Sequence, residues 1–163
     1  MYLSTILASF FALMACAIPL AHQRRPSDMA CANAGDCYKL QSFNVTADKL
    51  IHLSFTIYAD GNSHDNKTVC STSWEVDANV WPQDYIKCNN DLFQWKFSKF
   101  NSVIDWTMEA THDFSLGGFG ARAFANGTAV SNDFLCEADA SGAQHCSLKT
   151  DHVINLALYA MIA

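Results

Sequence analysis

Residues 134–146, FLCEADASGAQHC, gather side chains that do chemistry: two cysteines, the carboxylates of Glu137 and Asp139, and His145 directly before Cys146. Three chemistries suit such a set. Thiolates with an imidazole bind zinc, a thiolate beside a histidine is a nucleophile, and two thiols in an oxidising compartment close into a disulfide. Zinc needs more ligands than these, and the chain has no C-x-x-C and no second His/Cys pair at ligand spacing. No metal and no cofactor is therefore expected. Thiol or disulfide is a question of compartment, and the N-terminus speaks to that.

The chain opens MYLSTILASFFALMACAIPLAHQRRP, without a charge from Leu3 to Ala21. Ala15-Cys16-Ala17 is a small-x-small cleavage site, and Pro19 interrupts any longer helix. Residues 1–21 are thus read as a signal peptide cleaved after Ala17 or Ala21, although the n-region lacks Lys and Arg. The expected organisation continues with a mobile arm over residues 22–37, bearing Arg24-Arg25, and a single domain over residues 38–163. Secretion removes Cys16 and leaves Cys31, Cys37, Cys70, Cys88, Cys136 and Cys146. An even count in a secreted chain implies disulfides and no free thiol, with the pairing left open by the count itself. On this reading residues 134–146 are a stapled hairpin.

The C-terminus offers a competing signal. SGA at residues 141–143, a polar spacer and the apolar VINLALYAMIA resemble a lipid-anchor attachment sequence. Accepting it would discard Cys146. The tail also alternates, with Ile154, Leu156 and Leu158 against Val153, Asn155 and Ala157, so a buried last strand is expected.

Alternation of period two runs through the chain. Ile51, Leu53, Phe55 and Ile57 oppose His52, Ser54 and Thr56. Phe93, Trp95 and Phe97 oppose Gln94, Lys96 and Ser98. Ile104, Trp106, Met108 and Ala110 oppose Asp105, Thr107, Glu109 and Thr111. Successive side chains of a strand point to opposite faces, so these are half-buried antiparallel strands with the aromatics in the core and His52 in solvent. Turn signals separate them at Asp60-Gly61-Asn62, Asn89-Asn90-Asp91, Gly117-Gly118, Asn126-Gly127 and Ser141-Gly142. The expected fold is all-β: a single compact antiparallel barrel or sandwich stapled by disulfides. Sequons at Asn44, Asn66 and Asn126 fall in or beside these expected turns and are candidate N-glycosylation sites.

Net charge is −6 with only 10 Lys and Arg, which argues against nucleic acid as a partner. There is no G-x-S-x-G, no H-E-x-x-H and no phosphate-cradling glycine loop followed by Lys. The glycines of LGGFG at residues 116–120 read as a strand connection or bulge. His112-Asp113 is a dipeptide on opposite strand faces, and folding could assemble two carboxylates for sugar cleavage from Asp105, Glu109 and others. No catalytic residue is assigned, and the chain is not expected to be an enzyme.

The ordered set of segments resembles the fungal AA1-like domain family, typified by the major secreted allergen of Alternaria. ACAIPLAHQRR resembles its signal end and basic pro-like region, and GDCYKLQSF its first strand. TVCSTSWEV with YIKC resembles its first cysteine pair. DFLC with HCSLKTDHVINLALY, including Asp151, resembles its second pair and closing strand. The resemblance spans nearly the whole chain after the leader. It implies one β-barrel with Cys70 bonded to Cys88 and Cys136 bonded to Cys146. In the family a lone cysteine matching Cys31 links two subunits. Here Cys37 stands six residues away, so an internal Cys31–Cys37 bond is expected in place of a covalent dimer, and a homodimer of another kind stays open. The implied function is that of a secreted effector or elicitor in the host apoplast, acting by surface recognition of a host protein, with thaumatin-like pathogenesis-related proteins as candidates. The alternative is an extracellular carrier of a small apolar or phenolic ligand, its pocket lined around Trp95 and Trp106.

Overall fold

The computed structural model describes Cys31 and residues 37–59, 67–76 and 80–163. The leader, most of the arm, the Asp60-Gly61-Asn62 signal and Asn66 lie outside the described residues. Ten antiparallel strands follow in order: β1 (Cys37–Ala47), β2 (Leu50–Ala59), β3 (Lys67–Glu75), β4 (Ile86–Lys87), β5 (Phe93–Ser102), β6 (Asp105–Leu116), β7 (Phe119–Ala129), β8 (Phe134–Ala138), β9 (Gln144–Leu148) and β10 (Ile154–Ile162). They form one sheet in the order β3-β2-β1-β10-β7-β6-β5-β4, curled into a nearly closed barrel. A flap of β8 and β9 pairs with the second half of β1. Among the described residues no helix is long and apolar enough to cross a membrane.

The alternation seen in the sequence is the alternation of burial. Ile51, Leu53, Phe55 and Ile57 of β2 face inward, as do Phe93, Trp95 and Phe97 of β5 and Trp106, Met108 and Ala110 of β6. Ile154 and Leu156 of β10 are buried and Leu158 is half-buried, so the tail is a closing strand. Each fully buried aliphatic side chain contributes about 1.5–3 kcal/mol. Phe43 stacks on Phe55 and on Trp106, and Trp95 meets Phe55 and Phe97 edge-on. This ring cluster fills the barrel.

Large rings on β5 and β6 require small residues across from them. Strand β7 supplies Ala121, Ala123, Ala125 and Ala129 on its inward face, with Gly127 between the last two. Here the sequence expectation is corrected: Asn126-Gly127 is not a turn but lies inside β7. A Cβ on Gly127 would sit 2.3 Å from the Asn155 carbonyl oxygen of β10, so the glycine is there for close strand approach. Asn44 also lies within a strand. It follows a break in register on β1, where Ser42 adopts φ +52°. The bend lets the first half of β1 pair with β10 and the second half with β9. Strand β1 opens at Cys37, one residue before the expected domain boundary, and Ile104 belongs to the β5–β6 connection.

Among the described residues the other turn signals are turns. Gly117 and Gly118, at φ +59° and +91°, form the two-residue hairpin loop between Leu116 and Phe119 that twisted strands favour. At β8–β9 the Asp139 carboxylate accepts from the Ser141 and Ala143 N–H groups. All three disulfides close as expected: Cys31–Cys37, Cys70–Cys88 and Cys136–Cys146. The second joins β3 to the residue after β4, the two ends of the sheet. Asn89 N–H donates to the Val69 carbonyl beside it, and Asn90 N–H to Thr68 Oγ1. The seam of the barrel is thus held covalently and by hydrogen bonds.

Candidate recognition surfaces

Trp95 and Trp106, expected to line a carrier's pocket, lie in the core. Both indoles are fully buried and packed against Phe43, Phe55 and Phe97. The pocket expected of a carrier is not lined by these residues.

One surface is the outward face of β5, β6, β7 and β10. Residues 80–85 run beside β5, where Phe97 N–H donates to the Pro82 carbonyl, and they bring Tyr85 over this face. Tyr85 donates its hydroxyl to Glu109 Oε2 at 3.2 Å, Lys96 Nζ reaches the same oxygen at 3.3 Å, and the ammonium lies 4.9 Å from the Tyr85 ring centre. Partial burial and then the Glu109 charge push the Tyr85 hydroxyl up to about 12. Further along, Arg122 grips Asp113 with two donors, Nη2 to Oδ2 at 2.7 Å and Nε to Oδ1. That fork holds the Asp113 carboxyl below its ordinary range and raises the guanidinium in turn.

Beyond Arg122 the hairpin tip is apolar, on the side of the strands that carries Phe114 and Ala121. Leu116 and Phe119, on either side of the Gly117-Gly118 loop, are 56% and 75% exposed, and Ile162, paired in register with Arg122, is 59% exposed. Beside Ile162 runs a groove of about 400 Å³ lined also by Asp113, Phe114, Gly120, Ala121 and Arg122. Large exposed apolar residues gathered around a rigid Arg–carboxylate pair have the composition of a protein-binding patch. The sequence showed Phe119 and Arg122 but not that Ile162 joins them, because that depends on the β7–β10 register.

A second surface is polar. Across the outward faces of β8, β9, β1, β2 and β3 the pairings align Glu137, His145, Thr46, His52 and Ser73. His52 Nδ1 lies 2.7 Å from Ser73 Oγ, which keeps this histidine on the solvent side as expected. His145 Nδ1 lies 3.3 Å from Thr46 Oγ1 and its Nε2 lies 3.2 Å from Asp139 Oδ2. Hydrogen bonds from Ser141 and His145 hold the Asp139 carboxyl down at about 2. This carboxylate–imidazole–hydroxyl chain escaped the sequence reading, since Thr46 and His145 stand 99 residues apart. It lies on an open sheet face, and Thr46 belongs to a strand paired on both sides, so nearby backbone N–H groups are engaged in ladders and do not form an oxyanion hole.

The remaining candidates separate. His112 points inward against Phe93 and Tyr38, while Asp113 points outward to Arg122. Asp105 accepts from Asn101, and Glu109 holds Tyr85 and Lys96. Four residues of extended strand separate the Asp105 and Glu109 Cα atoms by about 13 Å. No group of three or more His, Cys, Asp or Glu with metal-binding geometry occurs among the described residues. Asn44 and Asn126 are both exposed, Asn44 donating to the Ser42 carbonyl. No family model and no curated protein matches the chain.

Proposed function

We propose that this chain is a secreted recognition protein whose binding energy comes from the Leu116–Phe119 hairpin end and the adjoining Arg122–Asp113 groove. One observation carries this reading: aromatic rings pack the core of the barrel, while Phe119, at 75% the most exposed large apolar side chain among the described residues, stands with Leu116 at the tip of the β6–β7 hairpin whose strands carry the Arg122–Asp113 pair. Three disulfides support an oxidising compartment. The resemblance to the fungal AA1-like family supplies the setting, an effector or elicitor in the host apoplast, and the partner class, a host extracellular protein of the thaumatin-like pathogenesis-related kind. The carrier alternative has no comparable support, because Trp95 and Trp106 are sealed.

Surface plasmon resonance against a purified thaumatin-like protein tests this directly. Wild-type chain is expected to bind saturably, and the double variant Leu116→Asp, Phe119→Asp to lose at least about tenfold in affinity with unchanged melting temperature. Equal binding by the variant would remove this end of the barrel from the reading. Absence of binding by the wild type would remove the partner class.

A further inference from the structure

Strand β7 carries a sequon where a hairpin turn was expected, and its neighbours on the strand give that position a second meaning. Ala123, Ala125, Gly127 and Ala129 point inward, so Phe124, Asn126 and Thr128 point outward in a row, about 6.6 Å between alternate residues. The Phe124 ring lies 6.2 Å from the ring of Tyr159 on β10, and Tyr159 is 53% exposed. Asn126 pairs with Ala157 and Phe124 with Ala160, on either side of a register shift in β10 that contains Tyr159. Both rings therefore lie on the same side of Asn126. Between the asparagine and the rings, Ala157 contributes only a methyl group. On the other flank Glu109, paired in register with Asn126, is held by Tyr85 and Lys96.

We propose that Asn126 carries an N-linked glycan whose first N-acetylglucosamine packs its apolar face against the shelf made by Phe124 and Tyr159, whose planes are tilted by 47° to each other. A β-linked pyranose presents a face of axial C–H groups with slight positive character, and an aromatic face is negative, so the two attract and exclude water together. The sugar is attached within one residue pair of the shelf, so little freedom is lost in docking. It covers the two rings and leaves the Leu116–Phe119 end, some seven residues back along β7, free for the partner. The inference rests on the secreted reading, because only a translocated chain meets the glycosylating enzyme. Asn44 is the internal contrast. Its partners in register are Ser54 and Ser147, which offer no ring.

The test uses the full chain secreted from a eukaryotic host and trimmed with an endoglycosidase that leaves one N-acetylglucosamine on each occupied asparagine. Peptide mass mapping is expected to find Asn126 occupied. Relative to Asn126→Gln, the single sugar should raise the melting temperature by about 3 °C, and its ring protons should show upfield ring-current shifts that a sugar on Asn44 lacks. Both effects should vanish in Tyr159→Ala, whose exposed side chain makes that variant safe for folding, and in Phe124→Ala. A secreted chain bare at Asn126 but occupied at Asn44 or Asn66 overturns this inference and spares the secreted reading. An occupied Asn126 with unshifted protons, or a sugar effect that survives Tyr159→Ala, overturns the shelf. A chain retained in the cell and bare at all three sequons overturns both.

Discussion

The imidazole of His112 lies flat against the ring of Phe93, with centroids 4.0 Å apart and planes within 8° of parallel. Tyr38 meets the same imidazole edge-on and Phe114 stacks from the next position on the same side of β6, so the ring is enclosed by aromatics from β1, β5 and β6. Burial lowers its pKa from the ordinary 6.5, against a smaller opposing pull from the neighbouring Asp113 charge. The folded state therefore prefers the neutral imidazole, while the unfolded chain takes up a proton near pH 6.5. Stability from this site is fully present above pH 6.5 and is lost as pH falls from there toward the lowered folded value. The melting temperature should drop between pH 7 and pH 5, and His112→Phe should flatten that slope. An equal drop in the variant would place the acid sensitivity elsewhere.

Removing the Cys70–Cys88 bond should loosen the seam rather than the core. The loop it closes spans 18 residues, and its loss should cost about 3 kcal/mol in urea unfolding. Because Asn89 and Asn90 bond β3 beside it, the paired Cys70→Ser, Cys88→Ser variant should show faster amide exchange in β3 and β4 while β6 and β7 stay protected. Uniform loss of protection would mean that the barrel opens as a whole.

The strands and core were legible because a half-buried strand writes its own pattern: Phe93, Trp95 and Phe97 could face only one way. The closing strand was legible for the same reason. Two kinds of information were absent. Asn126-Gly127 has local turn chemistry, and tertiary packing overrode it because β10 passes too close for any side chain at residue 127. The surfaces depend on register. Nothing near Thr46 in the sequence announces His145, and nothing near Arg122 announces Ile162, until β1 has paired with β9 and β7 with β10. Even burial was misread where a neighbour covers an outward position. Thr111 sits on the polar side of β6, yet it is buried beside Phe124, its partner in register on β7.

Gly127 yields a direct test of that override. In Gly127→Ala the new methyl meets the Asn155 carbonyl at 2.3 Å and the Leu156 side chain at 2.6 Å, and the first of these is backbone that cannot rotate aside. Overpacking of this kind costs about 1–3 kcal/mol or more. In a tight Asn-Gly turn alanine would cost about 1 kcal/mol through its positive φ, with no clash against β10. A chemical denaturation curve for the variant that overlays the wild type would mean that β7 and β10 do not approach as described.

The polar row asks whether Thr46, His145 and Asp139 act as a nucleophile with its base. On the recognition reading they do not, and Thr46→Ala, His145→Ala and His52→Ala should each keep essentially full partner binding and full elicitor response in infiltrated leaves. Their removal deletes exposed hydrogen bonds far from the Leu116–Phe119 end, so affinity has no route by which to change. A catalytic triad behaves otherwise: loss of its hydroxyl or imidazole lowers turnover by orders of magnitude while leaving binding intact. The discriminating measurement is the response to each variant scored beside its affinity. If Thr46→Ala or His145→Ala binds normally and is inert in the leaf, the relay is an active site and the chain is an enzyme.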